Sequence, residues 1–345
     1  MKAVVLRQFG EPKNLKLESV PDPRPGRGEV LVKVQACGVC HHDVLHRRGK
    51  LPGTPVPAIL GHEAAGTVVE VGADVKEWSV GDRVATLQRM SCGQCALCED
   101  GRNSLCRHDA RFFGEEIPGG YAPYLVAPAQ GLGRIPDALS WPVAATTCCT
   151  TGTAVHVVRT RGRVRPGETV VITGASGGVG MQAVQLARLD GARVIAVTSS
   201  EAKRQALHEA GAHHVIVSKE LEFASEVRRI TEGEGAQVCL EIVGATTFAQ
   251  SLKSLAPGGR LVVVGNLETS PVFLNPGLVI VKELEILGAY ATTRDELDQA
   301  FALVESGKLK PWISESMPLA EAAKAHFRLE NREIAGRLVL VPPQA

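Results

Sequence analysis

The sequence predicts an α/β protein in two parts, an all-β, barrel-like unit and a doubly wound parallel sheet. Three observations predict it. The first third is cut by Pro-Gly and Gly-Asp pairs, such as Pro25-Gly26 and Gly81-Asp82, into short β-rich runs. From about residue 150 onward, fully apolar β runs alternate with helical patterns, which is how a parallel sheet covered on both faces reads. A length of 345 residues gives each part enough chain for its own core.

In chain order, residues 30–34 (Val-Leu-Val-Lys-Val) and 67–71 (Thr-Val-Val-Glu-Val, closed by Gly72) are strands of the first part. Residues 168–173 form a β run, followed by a glycine cluster. A helix over 181–189 is stopped by Gly191. A second β run spans 193–198, and a second helix, 201–210, is stopped by Gly211. Further β runs lie at 215–217, 238–242 and 261–264. Two helical stretches near 295–305 and 319–328 precede a last strand at 337–341, and this tail is expected to return to the first part. The chain has no internal repeat and no low-complexity segment.

Charge and hydropathy exclude several classes. Lys+Arg 38 against Asp+Glu 37 leaves a net charge of +1, so no global field draws the chain to nucleic acid or an anionic membrane. No apolar run approaches the roughly 18–20 residues of a membrane span, and the N-terminus lacks a signal-peptide layout. A cytoplasmic protein is expected. Nine cysteines, several of them clustered, fit metal or redox chemistry in a reducing compartment better than a disulfide framework.

Cys92, Cys95, Cys98 and Cys106 form a C-x2-C-x2-C-x7-C loop. Four thiolates so close in sequence suit tetrahedral zinc with every position filled by protein, hence a structural site. An iron–sulfur cluster is the alternative metal. A second polar group lies in Cys40-His41-His42-Asp43 and Gly61-His62-Glu63, with Cys148-Cys149 further on. One His and two Cys hold zinc with a fourth position open, the arrangement known in alcohol dehydrogenase, and such a zinc polarises a carbonyl oxygen. Asp43 is the candidate carboxylate to receive the second ring N–H of His62.

Thr173-Gly174-Ala175-Ser176-Gly177-Gly178-Val179-Gly180 lies between a predicted strand and a predicted helix. Glycines let backbone approach a pyrophosphate, and the helix N-terminus stabilises its charge, so this loop predicts dinucleotide binding. The next strand ends in Thr198-Ser199-Ser200, where an NAD site expects an acid. These hydroxyls with Lys203 and Arg204 suit a 2′-phosphate, and Glu201 reads as an acid in the first turn of a helix. NADP(H) is therefore expected rather than NAD(H).

With these motifs the chain resembles the zinc-containing medium-chain dehydrogenase/reductase family over essentially its whole length. Gly61-His62-Glu63-Ala64-Ala65-Gly66, followed by Gly72, is similar to that family's zinc signature. The resemblance implies a discontinuous GroES-like β-barrel catalytic domain, 1–150 with 291–345, and a Rossmann domain, 151–290. It implies two zinc ions per subunit. Cys40, His62 and Cys149 match the catalytic zinc ligands, Glu63 matches the acid that can transiently join them, and Cys92, Cys95, Cys98 and Cys106 match the lobe zinc. Cys149 is preferred to Cys148 because Cys149-Thr150-Thr151-Gly152-Thr153-Ala154 is similar to the family's Cys-Ala-Gly-x-Thr-Ala pattern without gaps. By family position, Thr151, Ser176, Gly177, Gly178, Val179, Gly180, Thr198, Ser199, Ser200, Lys203, Val243, Gly265 and Asn266 are implied cofactor contacts.

Two departures stand out. His42 occupies the position where the family's alcohol dehydrogenases carry the Ser or Thr that passes the alcohol proton, and Leu45 replaces the histidine that often ends that relay. An imidazole both takes and gives a proton near neutral pH, so His42 is a candidate for the same task. The loop 174–180, Thr198-Ser199-Ser200-Glu201 and Ser251-Leu252-Lys253-Ser254-Leu255 with Gly258-Gly259-Arg260 are similar to the acryloyl-CoA reductase and quinone oxidoreductase branch, which reduces an activated C=C bond. The expected activity is a zinc-dependent NADP(H) alcohol dehydrogenase or aldehyde reductase. The alternative is an NADPH-dependent enoyl-thioester or quinone reductase, for which Arg47 and Arg48 are candidate contacts to acidic groups of the substrate. The expected partner is a small-molecule alcohol or aldehyde, and the resemblance implies a homodimer or homotetramer, with residues 284–289 as a pairing edge.

Overall fold

A computed structural model describes residues 1–343 of the chain. The chain divides into two units. Among the described residues, one comprises Met1–Gly152, Ala291–Gly307 and residues 313–343; the other comprises Thr153–Tyr290 and Lys308–Trp312. The architecture is that of a sheet-rich GroES-like domain and a Rossmann-like domain. Among the described residues no helix is long and apolar enough to cross a membrane.

The sheet-rich unit is organised by one long strand, Glu29–Val39. Its first half alternates buried valines (Val30, Val32, Val34) with half-exposed residues, and from Ala36 to Val39 every residue is buried. Three strands pair with it antiparallel, Glu63–Val71, Tyr124–Pro128 and Arg337–Val341. The register sets Gly38 opposite Glu63 and Val39 opposite Leu338. Residues from the beginning, the early middle and the end of the chain therefore meet at one end of the strand. There the chain turns into the helix His41–Arg47, whose Asp43 side chain accepts the Cys40 N–H at 3.0 Å and caps the helix start.

A further helical segment has no clear signal in the sequence. Trp141–Thr146 is α-helical and continues as a π-helical turn, Thr147–Gly152. Its β-branched residues read as poor helix formers. Burial overrides that preference, and the hydroxyls of Thr147 and Thr150 donate to the carbonyls of Val143 and Thr146 four residues back, at 2.7 Å each.

The second unit carries a six-stranded, wholly parallel sheet. In spatial order the strands are His214–Val217, Arg193–Thr198, Thr169–Ile172, Ala236–Glu241, Leu255–Val263 and Glu285–Gly288. This is the doubly wound 3-2-1-4-5-6 order, with its switch point between the first and fourth strands. The central strands are almost continuously apolar because helices cover both faces. One charge is buried among them. The Glu241 carboxylate, fully buried at the end of its strand, accepts the N–H groups of Val243 and Gly244 (2.9 Å each), the Thr173 hydroxyl (2.9 Å), the Thr247 hydroxyl (2.6 Å) and the Ser251 hydroxyl. It pins the loop at the carboxyl end of the sheet. Glu241→Gln, which puts an NH2 group where an acceptor is needed, is expected to lower the stability of this unit by about 1–3 kcal/mol in urea unfolding. Amide exchange at Val243 and Gly244 should speed up with it.

Candidate metal centres and dinucleotide loop

The strand register described above assembles the first centre. Cys40 follows the long strand, His62 precedes its neighbour, and Glu63 opens that neighbour. Cys149 comes from the π-helical turn, a geometry frequent at functional sites. One ligand atom from each of Cys40, His62, Glu63 and Cys149 lies within 4.8 Å of all the others. His62, Glu63 and Cys149 are buried, and Cys40 is nearly so.

Arg337, from the last strand, completes the cluster. Its guanidinium grips Glu63 with two bonds, Nη2 to Oε1 at 2.6 Å and Nε to Oε2 at 3.2 Å. The same Nη2 reaches the sulfurs of Cys40 (3.4 Å) and Cys149 (3.5 Å). On the far side, His62 Nδ1 donates to Asp43 Oδ1 at 3.1 Å, which turns Nε2 toward the sulfurs. A hydrogen bond from Cys149 holds the Cys40 thiol well below its ordinary range despite burial, and Arg337 and His62 add to the effect. Against the penalty of burial, Asp43 raises His62 well above the usual imidazole range. Burial lifts the Glu63 carboxyl to about 7, opposed by Arg337. A soft, anionic sulfur beside an imidazole and a second thiol is the donor set that zinc takes with release of protons.

The sequence singles out His42 as well. Its Nε2 lies 2.5 Å from Glu115 Oε1, and its ring stacks on Phe112 with centroids 4.6 Å apart. Phe112 also meets the His62 ring edge-on at 5.4 Å. Glu115 and Phe112 escape the sequence reading, because nothing in the pattern Arg111-Phe112-Phe113-Gly114-Glu115 marks them as neighbours of residue 42. Arg337 escapes it too, as an ordinary charge at the start of a strand. Cys148 is buried as well but is not among the converging donor atoms, and its carbonyl accepts the Thr292 hydroxyl at 3.3 Å. Arg47 corrects an expectation. It is 1% exposed and bonded to Glu330 and the Gly10 carbonyl, so it offers nothing to a substrate, whereas the Arg48 side chain is half exposed.

The second centre is the loop of Cys92, Cys95, Cys98 and Cys106. Its sulfurs are separated by 3.5 Å (Cys95–Cys98) and 4.0 Å (Cys92–Cys98, Cys95–Cys106). A tetrahedron with metal–sulfur bonds of about 2.3 Å has edges of about 3.8 Å, so the knot fits zinc. Against burial, backbone N–H groups of Asp109, Cys92 and His108 bring Cys106 down to about 6. Buried Arg89 ties the loop down through the carbonyls of Ser104 and Cys106.

In the parallel-sheet unit, the loop of Ser176 and Gly177 leads into the helix Gly178–Leu189, whose first turn includes Val179 and Gly180. Its first N–H groups have no partner within the helix and face the loop. A Cβ on Gly180 would stand 2.4 Å from the Gly174 carbonyl oxygen, so only glycine lets the helix approach the strand this closely. Ser176 Oγ and Thr198 Oγ1 are 3.3 Å apart, and the Ser200 N–H donates to Thr198. Val243, Gly265 and Asn266 meet at the neighbouring strand ends, where the Leu267 N–H bonds the Val243 carbonyl at 2.9 Å. The loop thus fits a pyrophosphate. Ser199 and Lys203 follow Thr198 on the next turn, and Arg204 pairs with Glu201 and with the Val215 carbonyl. Thr151 belongs to the other unit, buried in the same turn as Cys149.

Comparison with known proteins agrees with this geometry. The family model for the alcohol dehydrogenase GroES-like domain matches residues 26–137, and that for zinc-binding dehydrogenases matches residues 178–306. An acryloyl-coenzyme A reductase of Sulfurisphaera tokodaii is 34% identical over 99% of this chain and 100% of its own. An NAD-dependent alcohol dehydrogenase of the same organism is 35% identical over the same shares. Among solved structures, that of AibC is 72% identical with a TM-score of 0.93, covering 100% of this chain and 96% of that one. An NAD-dependent alcohol dehydrogenase structure is 36% identical with a TM-score of 0.90, covering 99% of both chains.

One glycine tests the geometry of the first centre. A Cβ on Gly38 would lie 2.0 Å from Glu63 Oε2. Gly38→Ala is expected to push Glu63 off Arg337, leaving a buried charge unpaired at a cost of about 3 kcal/mol. Thermal unfolding and metal analysis should show a lower Tm and the loss of one metal equivalent, with the lobe's equivalent retained.

Proposed function

The chain belongs to the zinc-binding dehydrogenases of the medium-chain dehydrogenase/reductase family, and on that premise we propose that it is a zinc-dependent, NADP(H)-linked alcohol dehydrogenase or aldehyde reductase. One observation carries the reading. Cys40, His62 and Cys149 converge as three donors with the Glu63 carboxylate bound to Arg337 beside them, and two Cys with one His is the set with which a catalytic zinc keeps a position for substrate. When bound, zinc supplies Lewis acidity toward that oxygen, and the nicotinamide supplies or accepts the hydride.

The protein's own groups do the rest. Asp43 fixes the tautomer of His62. Arg337 keeps the carboxylate of Glu63 oriented beside the ligands and balances the negative charge of the sulfurs. His42 takes the place of the family's hydroxyl. With Nε2 held by Glu115, its Nδ1 is the atom that exchanges a proton with the alcohol or alkoxide oxygen. Cys92, Cys95, Cys98 and Cys106 hold a second, structural zinc.

The preference for NADP(H) is supported by the end of the strand Arg193–Thr198, which offers hydroxyls and no free acid. Glu201, the nearest carboxylate in sequence, is engaged by Arg204. NADPH is expected to exceed NADH in kcat/KM by at least about tenfold, and a preference for NADH would refute this part of the reading.

A second reading has its own support. Acryloyl-coenzyme A reductases are similar over 99% of this chain, and a histidine–carboxylate pair stands where the alcohol dehydrogenases carry a hydroxyl. An enoyl-thioester reductase needs a proton delivered to carbon after hydride transfer, and an imidazole serves that need as readily. We also propose that a second copy pairs along the edge strand Glu285–Gly288. Phe273, Ile280 and Val281 of the same unit expose apolar side chains, 73–85% open for the three.

Cys40→Ala and His62→Ala are expected to abolish carbonyl reduction, lower the metal content from two equivalents to one, and leave NADPH binding intact by fluorescence titration. Full activity in either variant would remove the catalytic zinc from the account. Offering an aldehyde and an acryloyl thioester side by side as oxidants of NADPH separates the two readings.

A further inference from the structure

Behind the His62–Asp43 pair runs a series of buried polar side chains that the proposed reaction does not use. Asp43 Oδ2 accepts the Tyr121 hydroxyl at 3.3 Å. The same hydroxyl lies 3.0 Å from His326 Nε2. Arg47 Nε donates to His326 Nδ1 at 3.4 Å. The Arg47 guanidinium ends the series on Glu330, at the rim, and on the Gly10 carbonyl. Asp43, Tyr121, His326 and Arg47 are each no more than 2% exposed. Two helices supply most of the series at i, i+4 spacing, Asp43 and Arg47 from His41–Arg47, His326 and Glu330 from Ala322–Glu330.

The proton positions follow from chemistry. An arginine N–H only donates, so His326 Nδ1 must accept and its single proton sits on Nε2. That N–H donates to the Tyr121 oxygen, and the Tyr121 O–H then has Asp43 as its acceptor. The Asp43 carboxylate only accepts, from Tyr121, from the Cys40 N–H and from His62 Nδ1. Every bond therefore points one way, from Arg47 to Asp43. Burial, with Arg47 contributing, drives His326 down to about 3, so it stays neutral as this order requires.

We propose that Tyr121, His326 and Arg47 are positioning residues for the metal centre, a one-way hydrogen-bonded chain that holds Asp43 as the acceptor of His62 and so sets how firmly the Cys40–His62–Cys149 site grips its metal. The inference rests on reading those three residues as metal ligands. It makes the helix Ala322–Glu330, which contributes no ligand, a determinant of metal affinity. Each link has a specific task. Without the Tyr121 hydroxyl, Asp43 loses a donor and His326 faces it with a buried N–H that has nowhere to go.

The test uses the full chain with zinc in the cysteine lobe and cobalt(II) exchanged into the Cys40–His62–Cys149 site. Visible cobalt bands report ligand geometry, and competition with a chelator reports affinity. Tyr121→Phe is expected to shift the bands and weaken cobalt binding about tenfold while the lobe zinc is unchanged, within the range known for groups that orient ligands. His326→Gln keeps a donor toward Tyr121 and an acceptor for Arg47, so it should stay within about twofold of the parent. Should Tyr121→Phe not fold, Arg47→Lys, which removes the Nε donor and keeps the charge, takes its place with the same outcomes. Unchanged bands and affinity in Tyr121→Phe would overturn the inference. Equal losses in Tyr121→Phe and His326→Gln would also overturn it, as the mark of a general packing role. If the parent protein itself shows no thiolate–cobalt bands, the metal reading falls and this inference falls with it.

Discussion

The bidentate grip of Arg337 on Glu63 is the constraint on which the sheet-rich unit turns. A carboxylate with no exposed surface, next to two thiols, is costly unless a cation is fixed against it. The protein provides that cation from a strand at the other end of the sequence, and the strand register delivers it without a dedicated loop. Once Arg337 is in place, its Nη2 lies against both sulfurs and the Glu63 carboxylate is fixed beside them.

Much of this was legible in the residues themselves. The alternation of apolar strands with glycine-stopped helices predicts the parallel sheet, and its strands lie where the β runs 168–173, 193–198 and 238–242 put them. The cysteine loop 92–106 is legible because thiols so close in sequence must be close in space. Asp43 as the partner of His62 was legible through the chemistry of a ligating imidazole. What could not be read is long-range pairing. Glu115 and Phe112 reach His42 across more than sixty residues of chain, and Arg337 reaches Glu63 across 274. No local pattern encodes such meetings, since they follow from sheet register. The π-helical turn around Cys149 was hidden for a different reason. Its threonines argue against a helix by intrinsic preference, and burial with hydroxyl-to-carbonyl bonds reverses that preference.

Arg47 shows how exposure is misjudged from sequence. Two adjacent arginines read as candidate contacts to a substrate, yet helix periodicity sends the first inward to a neutral histidine and a carboxylate, and the second outward. The parallel-sheet unit holds a comparable case in Glu241, an acid inside an apolar strand whose role is to gather the amides of the cofactor-side loop. In both units charged groups sit where they organise backbone or ligands, and the apolar core is arranged around them.

The late place of Arg337 in the chain, after every other member of the cluster, has a consequence for biosynthesis. A ribosome releases Cys40, His62, Glu63 and Cys149 long before it adds the strand Arg337–Val341. Until that strand docks, the nascent pocket holds acidic and thiol groups with no arginine to quiet them. The candidate metal pocket is accordingly assembled only after Arg337 has been added, and a chain ending before that strand would hold Cys40, His62, Glu63 and Cys149 without the arginine that fixes Glu63.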